Sequence, residues 1–306
     1  MNIFFQRIRY IYLKTFILSP KIISTIIFIP FLYFLGWILA SPLIFLGIEK
    51  ENISLIGTII TFLIFVISLP KWFEVRWKLN NVWKIVGIKI TNRNRKSSFY
   101  FLRGLLGAFS LLSAILIPII LFKDGIWLGA ISIDILLNSI LLIFGVGFAE
   151  ELIFRGWLLE ELKNQFGLKK ALIFQSSIFS IVHIGFNLPL WQMISILSGL
   201  FLLGIFLAFV RLKNNNSLWG CIGLHGGLVG GWFLVNNGLF EISKDVPIWL
   251  VGPGNINTNP LGGFWGISIL FFLCFLYFFL LKKIKYLIKL KYRFLQIRDK
   301  YPLIFD

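Results

Sequence analysis

Two adjacent carboxylates, Glu150 and Glu151, stand near the end of a long apolar run, and Arg155 follows the second at helical spacing. The chain has two histidines, His183 and His225, each in a different apolar run further on. Ionisable groups inside lipid-embedded segments are costly and mark functional sites by default. Glu151 and Arg155 are four residues apart and can pair on one helix face. Glu150 is turned by about 100° from its neighbour, so one carboxylate suits a structural role and the other suits chemistry. The blander reading makes both glutamates interfacial charges at a helix end. A lone histidine in such a helix is equally an interhelical hydrogen-bonding group. Two histidines on separate helices, with a carboxylate on a third, suit general-base activation of a water. They also suit a zinc site of one Glu and two His with an open position. The H-E-x-x-H helix of many zinc proteases is not in the sequence.

The elements that must carry these groups are membrane helices. A chain of 306 residues that is 58% hydrophobic, with a mean hydropathy of +0.87, has more apolar surface than a soluble fold could hide. The expected fold class is all-α: a polytopic membrane helix bundle of about eight transmembrane helices with interfacial amphipathic helices. A net charge of +17 could point to nucleic acid. The basic residues, however, lie in the connections and tails, where membrane topology places them, and nucleic-acid binding is set aside. Cys221 and Cys274 sit in apolar runs and read as buried thiols, not as a disulfide or metal pair. The 34 Phe and 11 Trp read as lipid-facing and interfacial side chains.

The spans fall at about 22–48, 53–69, 99–122, 126–154, 171–188, 191–210, 218–235 and 263–281. Pro70 is expected to end the second and Pro189 the fifth. Residues 71–98 carry eight cations and an apolar stripe of Trp72, Val75, Leu79, Val82, Trp83 and Val86, which predicts a helix lying in the interface. Residues 156–170 predict a second surface helix with a break near Gly167. Asp134 and Asn138, four apart, read as an intrahelical pair or as part of the site lining. The glycines of the seventh span allow close helix approach. Three segments follow: 1–125, with the tail, three spans and the interfacial helix; 126–236, the core that carries the motifs; and 237–306, with a loop, the last span and a basic tail. The first apolar run begins after Lys21 and is too long for a signal peptide's apolar core. Basic and near-neutral connections alternate, which places both termini on the cytoplasmic side. Abundant Ile, Lys, Asn and Phe fit an AT-rich genome and a bacterial inner membrane, or an internal membrane in a photosynthetic cell.

Glu150-Glu151-Leu-Ile-Phe-Arg155 matches E-E-x-x-x-R, Phe179-Ser-Ile-Val-His183 matches F-x-x-x-H, and His225 follows in a later span. In this order the set resembles the family of intramembrane proteases that includes the CAAX prenyl endopeptidases and the bacteriocin-processing proteins. The motif region covers about residues 126–236. The resemblance implies that Glu150 and His183 activate a water, that Glu151 and Arg155 brace the site, and that His225 helps stabilise the oxyanion. The family pattern continues H-x-x-x-N or H-x-x-x-D, and here the fourth position is Val229. An oxyanion donor is worth about 10²–10³ in rate, so Asn187 or Asn236 is expected to supply the amide instead. Glu150, His183 and His225 are the candidate zinc ligands; the alternative is direct base catalysis by Glu150 without a tightly bound metal. The implied partners are the lipid bilayer and a membrane-associated peptide or protein substrate. The competing readings are a non-catalytic scaffold or immunity-type protein of the same family, which Val229 favours, and a transporter with a protonatable Glu–His site.

Overall fold

The computed structural model describes residues 3–18, 20–89, 96–185, 187–243, 245–253 and 259–300. Helices dominate: α1 (Ile3–Thr15), α2 (Lys21–Ala40), α3 (Lys50–Trp77), α4 (Val82–Ile85), α5 (Ser97–Leu121), α6 (Ile133–Phe166), α7 (Leu168–Val182), α8 (Leu190–Lys213), α9 (Trp219–Leu234), α10 (Ile248–Val251) and α11 (Phe264–Lys300). Two short strands, β1 (Gly125–Trp127) and β2 (Phe240–Ile242), pair antiparallel with Ile126 opposite Glu241. Among the described residues six helical stretches are long and apolar enough to cross a membrane, so the chain is a polytopic helical membrane protein. The eight expected spans are therefore not all of spanning length. The two short ones are α7, of 15 residues, and α9, of 16. The first ends at the residue before His183 and the second contains His225.

The chain divides into two compact units, Met1–Thr91 with Leu152–Ala171, and Asn92–Glu151 with Leu172–Asp306. In the first unit α2 packs on α3 around an aromatic core. The Phe28 ring stacks on Trp72 at 4.2 Å, and Phe65 meets Trp157 edge-on at 5.8 Å. Helix α3 does not stop at Pro70, as the sequence suggests, but runs on to Trp77. Proline in a helix interior costs about 3 kcal/mol. Burying Trp72, Phe73 and Arg76 in line with Phe65 and Leu69 offsets it. The expected interfacial helix over 71–98 is accordingly not one element. Its first turns belong to α3, Lys78 and Asn81 turn the chain with φ of 57° and 62°, and a single turn of helix follows at α4. Arg93 and Arg95 of that expected helix lie outside the described residues.

Glu161 is the centre of a polar cluster under this aromatic core. It is fully buried, and so is its ion-pair partner Arg76 at 2.6 Å. Trp72 and Trp77 donate indole N–H groups to its Oε2 at 2.9 and 2.6 Å. Thr25 and Gln165 donate to Oε1 at 3.0 and 2.7 Å. Arg76 also donates to the carbonyls of Phe16 and Lys21. A buried carboxylate is tolerable only with its lone pairs and charge matched in this way.

In the second unit the glycine-rich α9 lies between α5 and α6. A methyl group on Gly223 would come within 2.1 Å of the Phe101 carbonyl of α5, and one on Gly226 within 2.1 Å of the Ile143 carbonyl of α6. The backbones approach so closely that only glycine fits at these two crossings. Ser139 ties α6 to α9 further along, donating to the Gly230 carbonyl at 2.8 Å. At the β1–β2 end a small core gathers Ile119, Phe240, Val246, Leu250 and Val251.

Helix α6 replaces two predicted elements. The expected span at 126–154 and the surface helix at 156–170 are one continuous run. Its start is delayed to Ile133 because residues 125–127 pair as β1, and Ser132 caps it by accepting from Ile135 N at 3.2 Å. Its end is set by Gly167, at φ +79°. The acidic pair is thus near the middle of a 34-residue helix rather than near its end. Asp134 and Asn138 lie at its far start, Asp134 about 24 Å of helix rise from Glu150, so they do not line the site.

Candidate active site

Glu150 and Glu151 close a single α-helical turn, Gly147–Glu151, set between two π-helical segments, Leu142–Val146 and Leu152–Leu158. Such π segments re-phase a helix and are frequent at functional sites. The close crossing at this turn positions α9: a methyl on Gly147 would meet the Gly226 Cα at 2.6 Å. With the two backbones in contact, His225, the residue before Gly226, reaches Glu151. Its Nδ1–H donates to Glu151 Oε1 at 2.7 Å. Glu151 is fully buried and His225 is 4% exposed.

His183 is positioned by the end of α7. The helix stops at Val182, and the His183 backbone N–H turns to the Ser180 carbonyl, at 3.3 Å, instead of to Phe179. The Phe179 carbonyl accepts from the imidazole Nδ1–H at 2.7 Å. Carbonyls of a last helical turn lack intrahelical donors, so the side chain of His183 caps its own helix. Helix termination and ring orientation are one event here. Phe179 is fully buried, its ring 4.4 Å from that of His183 and 5.5 Å from that of His225, edge to face. It sets the spacing of the two imidazoles.

The tautomers follow. A carbonyl oxygen only accepts, so Nδ1 of His183 carries its hydrogen; the Glu151 carboxylate fixes Nδ1–H of His225 in the same way. Both Nε2 atoms turn toward one oxygen, Glu150 Oε2, at 2.8 Å for His183 and 3.8 Å for His225. The side chains of Glu150 and His183 are about a quarter exposed, at 27% and 26%, while Glu151 and His225 are shut away. Only the first pair can meet a water and a substrate together.

A cavity of about 200 Å³ opens beside the histidines. Its walls include Phe179, His183, His225, Val229, Trp232 and Asn259, and the remainder is mostly aliphatic. Val229, the departure from the family pattern, is an apolar part of that wall. Asn187 is exposed in the turn between α7 and α8, its Oδ1 folded back toward Gly185, and it does not continue the helical face of His183 as the sequence suggests. Asn236 is exposed in the π turn Val235–Leu239. Neither lines the cavity. The asparagine that does is Asn259, which sequence reasoning passes over. Its Oδ1 caps the turn Pro260–Gly262 by accepting from Leu261 N at 3.0 Å, which leaves its amide N–H groups for other acceptors. The Asn-Pro dipeptide was the available signal for a capped turn, but nothing local ties it to His183. Arg155 is fully buried within Leu152–Leu158.

The donor set for a metal is Glu150 Oε2 with Nε2 of His183 and His225. Each imidazole has its other ring nitrogen held by a carbonyl or a carboxylate, the outer-shell pattern of metal-binding histidines. In chemistry the three residues fit zinc. In position they are drawn together as hydrogen-bonding partners, and among the described residues no three His, Cys, Asp or Glu side chains are spaced to hold an ion.

Residues 132–230 match the family model described as type II CAAX prenyl endopeptidase, Rce1-like. Residues 8–81, which include α2 and α3, match a domain of unknown function, DUF8676. No curated protein and no solved structure matches the chain. The Rce1-like segment holds Glu150, Glu151, Arg155, His183 and His225, so the stretch that carries the motifs is the stretch that is similar to the CAAX prenyl endopeptidase family.

Proposed function

We propose that this protein is an intramembrane endopeptidase that hydrolyses a peptide bond of a membrane-associated peptide or protein. The observation that carries the reading is the 2.8 Å contact between Glu150 Oε2 and His183 Nε2 at the wall of an apolar cavity. Glu150 takes a proton from a water that binds beside the pair, and His183, in direct contact with the carboxylate, holds it in place. The water oxygen bonds to the scissile carbonyl carbon. The resulting oxyanion is met by N–H donors, of which Asn259 offers an amide in place of the one absent at Val229. As the C–N bond breaks, the proton held by Glu150 passes to the leaving amine. Glu151 keeps His225 in one tautomer and one orientation. An extended or unwound substrate strand suits this site, since a helical segment presents no accessible peptide bond.

A second reading rests on the convergence of two Nε2 atoms on one carboxylate. A zinc ion held by Glu150, His183 and His225 would supply Lewis acidity to a bound water. The bilayer and a membrane-embedded substrate are the partners in both readings, and the charge bias favours a cytoplasmic location of both termini.

The experiment is cleavage of a membrane-anchored peptide library by purified protein in lipid, comparing wild type with Glu150→Gln and His183→Ala, with and without a zinc chelator. Loss of cleavage in both variants supports the protease. Loss with the chelator and recovery on adding zinc supports the metal form. Cleavage unaffected by Glu150→Gln sinks the mechanism, and no cleavage by folded wild type favours the non-catalytic scaffold.

A further inference from the structure

A second crevice lies in the same unit, away from the proposed catalytic groups, between α5, α8, α9 and α11. Its volume is about 60 Å³, and Arg103, Asn214 and Tyr277 supply its polar lining. A one-water cavity measures about 10–15 Å³ on the same scale, so the crevice has room for a small group such as a tetrahedral oxyanion. Lys213 stands at its rim, with Nζ 4.3 Å from the centre of the Tyr277 ring.

Three features make this crevice an anion site. First, Asn214, 6% exposed, lines the crevice and brings a side-chain amide to it. Second, the cations are not neutralised from within. Apart from Asp299, 22 residues beyond Tyr277 near the end of α11, the described acids of this unit are Glu150 and Glu151 of the histidine site, and Asp124, Asp134, Glu241 and Asp245 around the β1–β2 end. Arg103 lies in the first third of α5, about 27 Å of helix rise from Leu121, where α5 meets that acidic end. Third, the crevice lies toward one end of its helices: Lys213 is the last residue of α8, and Tyr277 comes shortly before Lys282 and Lys283 at the end of the apolar part of α11. Phospholipid phosphates lie at that level of a bilayer, and basic pockets between transmembrane helices bind such head groups.

We infer that Arg103, Asn214, Tyr277 and Lys213 form a binding site for a phosphoryl oxyanion, the phosphate of an anionic phospholipid. Arg103 supplies a planar pair of N–H donors, Asn214 a fixed amide and Lys213 a nearby positive charge. The site is separate from the peptide-cleaving reading and does not depend on it.

The test is native mass spectrometry of the whole protein in neutral detergent. Dioleoylphosphatidylglycerol is titrated in, beside dioleoylglycerol, which has the same chains without phosphate. The expected result is one saturable phosphatidylglycerol adduct on wild type, at least tenfold weaker in Arg103→Gln and intermediate in Arg103→Lys, which keeps the charge without the planar pair of donors. Arg103 is exposed, so its loss leaves the fold intact. Asn214→Asp, isosteric and repulsive to an anion, repeats the loss in a second background. An inorganic phosphate arm separates sources: displacement of the lipid by millimolar phosphate keeps the oxyanion site and makes free phosphate a competing occupant. Equal retention of dioleoylglycerol, absence of a saturable adduct on wild type, or an adduct unchanged in Arg103→Gln each overturns the proposal.

Discussion

Glu150 and His183, 33 residues apart in sequence, meet at 2.8 Å, and the ring that makes the contact is fixed by a bond to its own helix terminus at Phe179. The carboxylate and the imidazole are therefore pre-aimed, with no side-chain rotation needed before a water is bound. Glu150→Gln keeps the size of the side chain and removes the base. It is expected to lower turnover by at least the ~10²–10⁴ that general-base catalysis provides, with an unchanged melting temperature. Single-turnover cleavage in lipid beside a thermal melt reads both.

Glu151 has a different part to play. Replacing it with alanine strips the acceptor from His225 Nδ1 in a fully buried position. A buried donor left without a partner costs about 1–3 kcal/mol, so Glu151→Ala should lower stability as well as activity, whereas Glu150→Gln lowers activity alone. A variant pair that moved both quantities together would remove the distinction between the two carboxylates.

Asn259 is the amide that shares a cavity with His183 and Val229. Asn259→Ala is expected to reduce kcat by about 10²–10³ with little change in KM. Asn187→Ala, in an exposed turn, should leave both constants where they were. The reverse ranking would return the oxyanion role to Asn187.

The Arg76–Glu161 pair supports the fold of the first unit. Breaking a buried pair by removing one partner costs about 3–5 kcal/mol, so Glu161→Ala should unfold well below wild type in a detergent melt. Arg76→Met combined with Glu161→Leu should recover part of that loss, because no uncompensated charge remains. No recovery in the double variant would mean that the surrounding indole and amide hydrogen bonds, not the charge, dominate the cluster.

Gly226→Ala tests the helix crossing. The added methyl would sit 2.1 Å from the Ile143 carbonyl. Overpacking costs about 1–3 kcal/mol, and here it pushes α9 off α6 beside the histidine. Activity should fall further than stability; an active, stable alanine variant would show that the crossing has slack.

The amino-acid sequence by itself determined the solvent and the set of ionisable groups placed in it. Apolar runs with cations between them make a membrane protein, and two Glu, one Arg and two His in three of those runs limit the reactions available. The separate surroundings of neighbours Glu150 and Glu151 follow from a 100° rotation between adjacent helical positions. What only the tertiary structure decided are the pairings. His225 takes Glu151 across 74 residues of chain, and α9 can reach α6 only because Gly147 and Gly226 let two backbones touch. Helix length was decided the same way. Packing in line with Trp72 and Arg76 takes α3 through Pro70, and α6 continues past Arg155, placing the acidic pair at mid-helix. Glu161 reads as a surface charge until Arg76, Trp72 and Trp77 are folded around it, and Asn259 reads as a loop residue until its turn closes on the cavity. Local spacing sets which face of a helix a residue occupies, whereas the partner across that face comes from distant chain and is chosen by close packing.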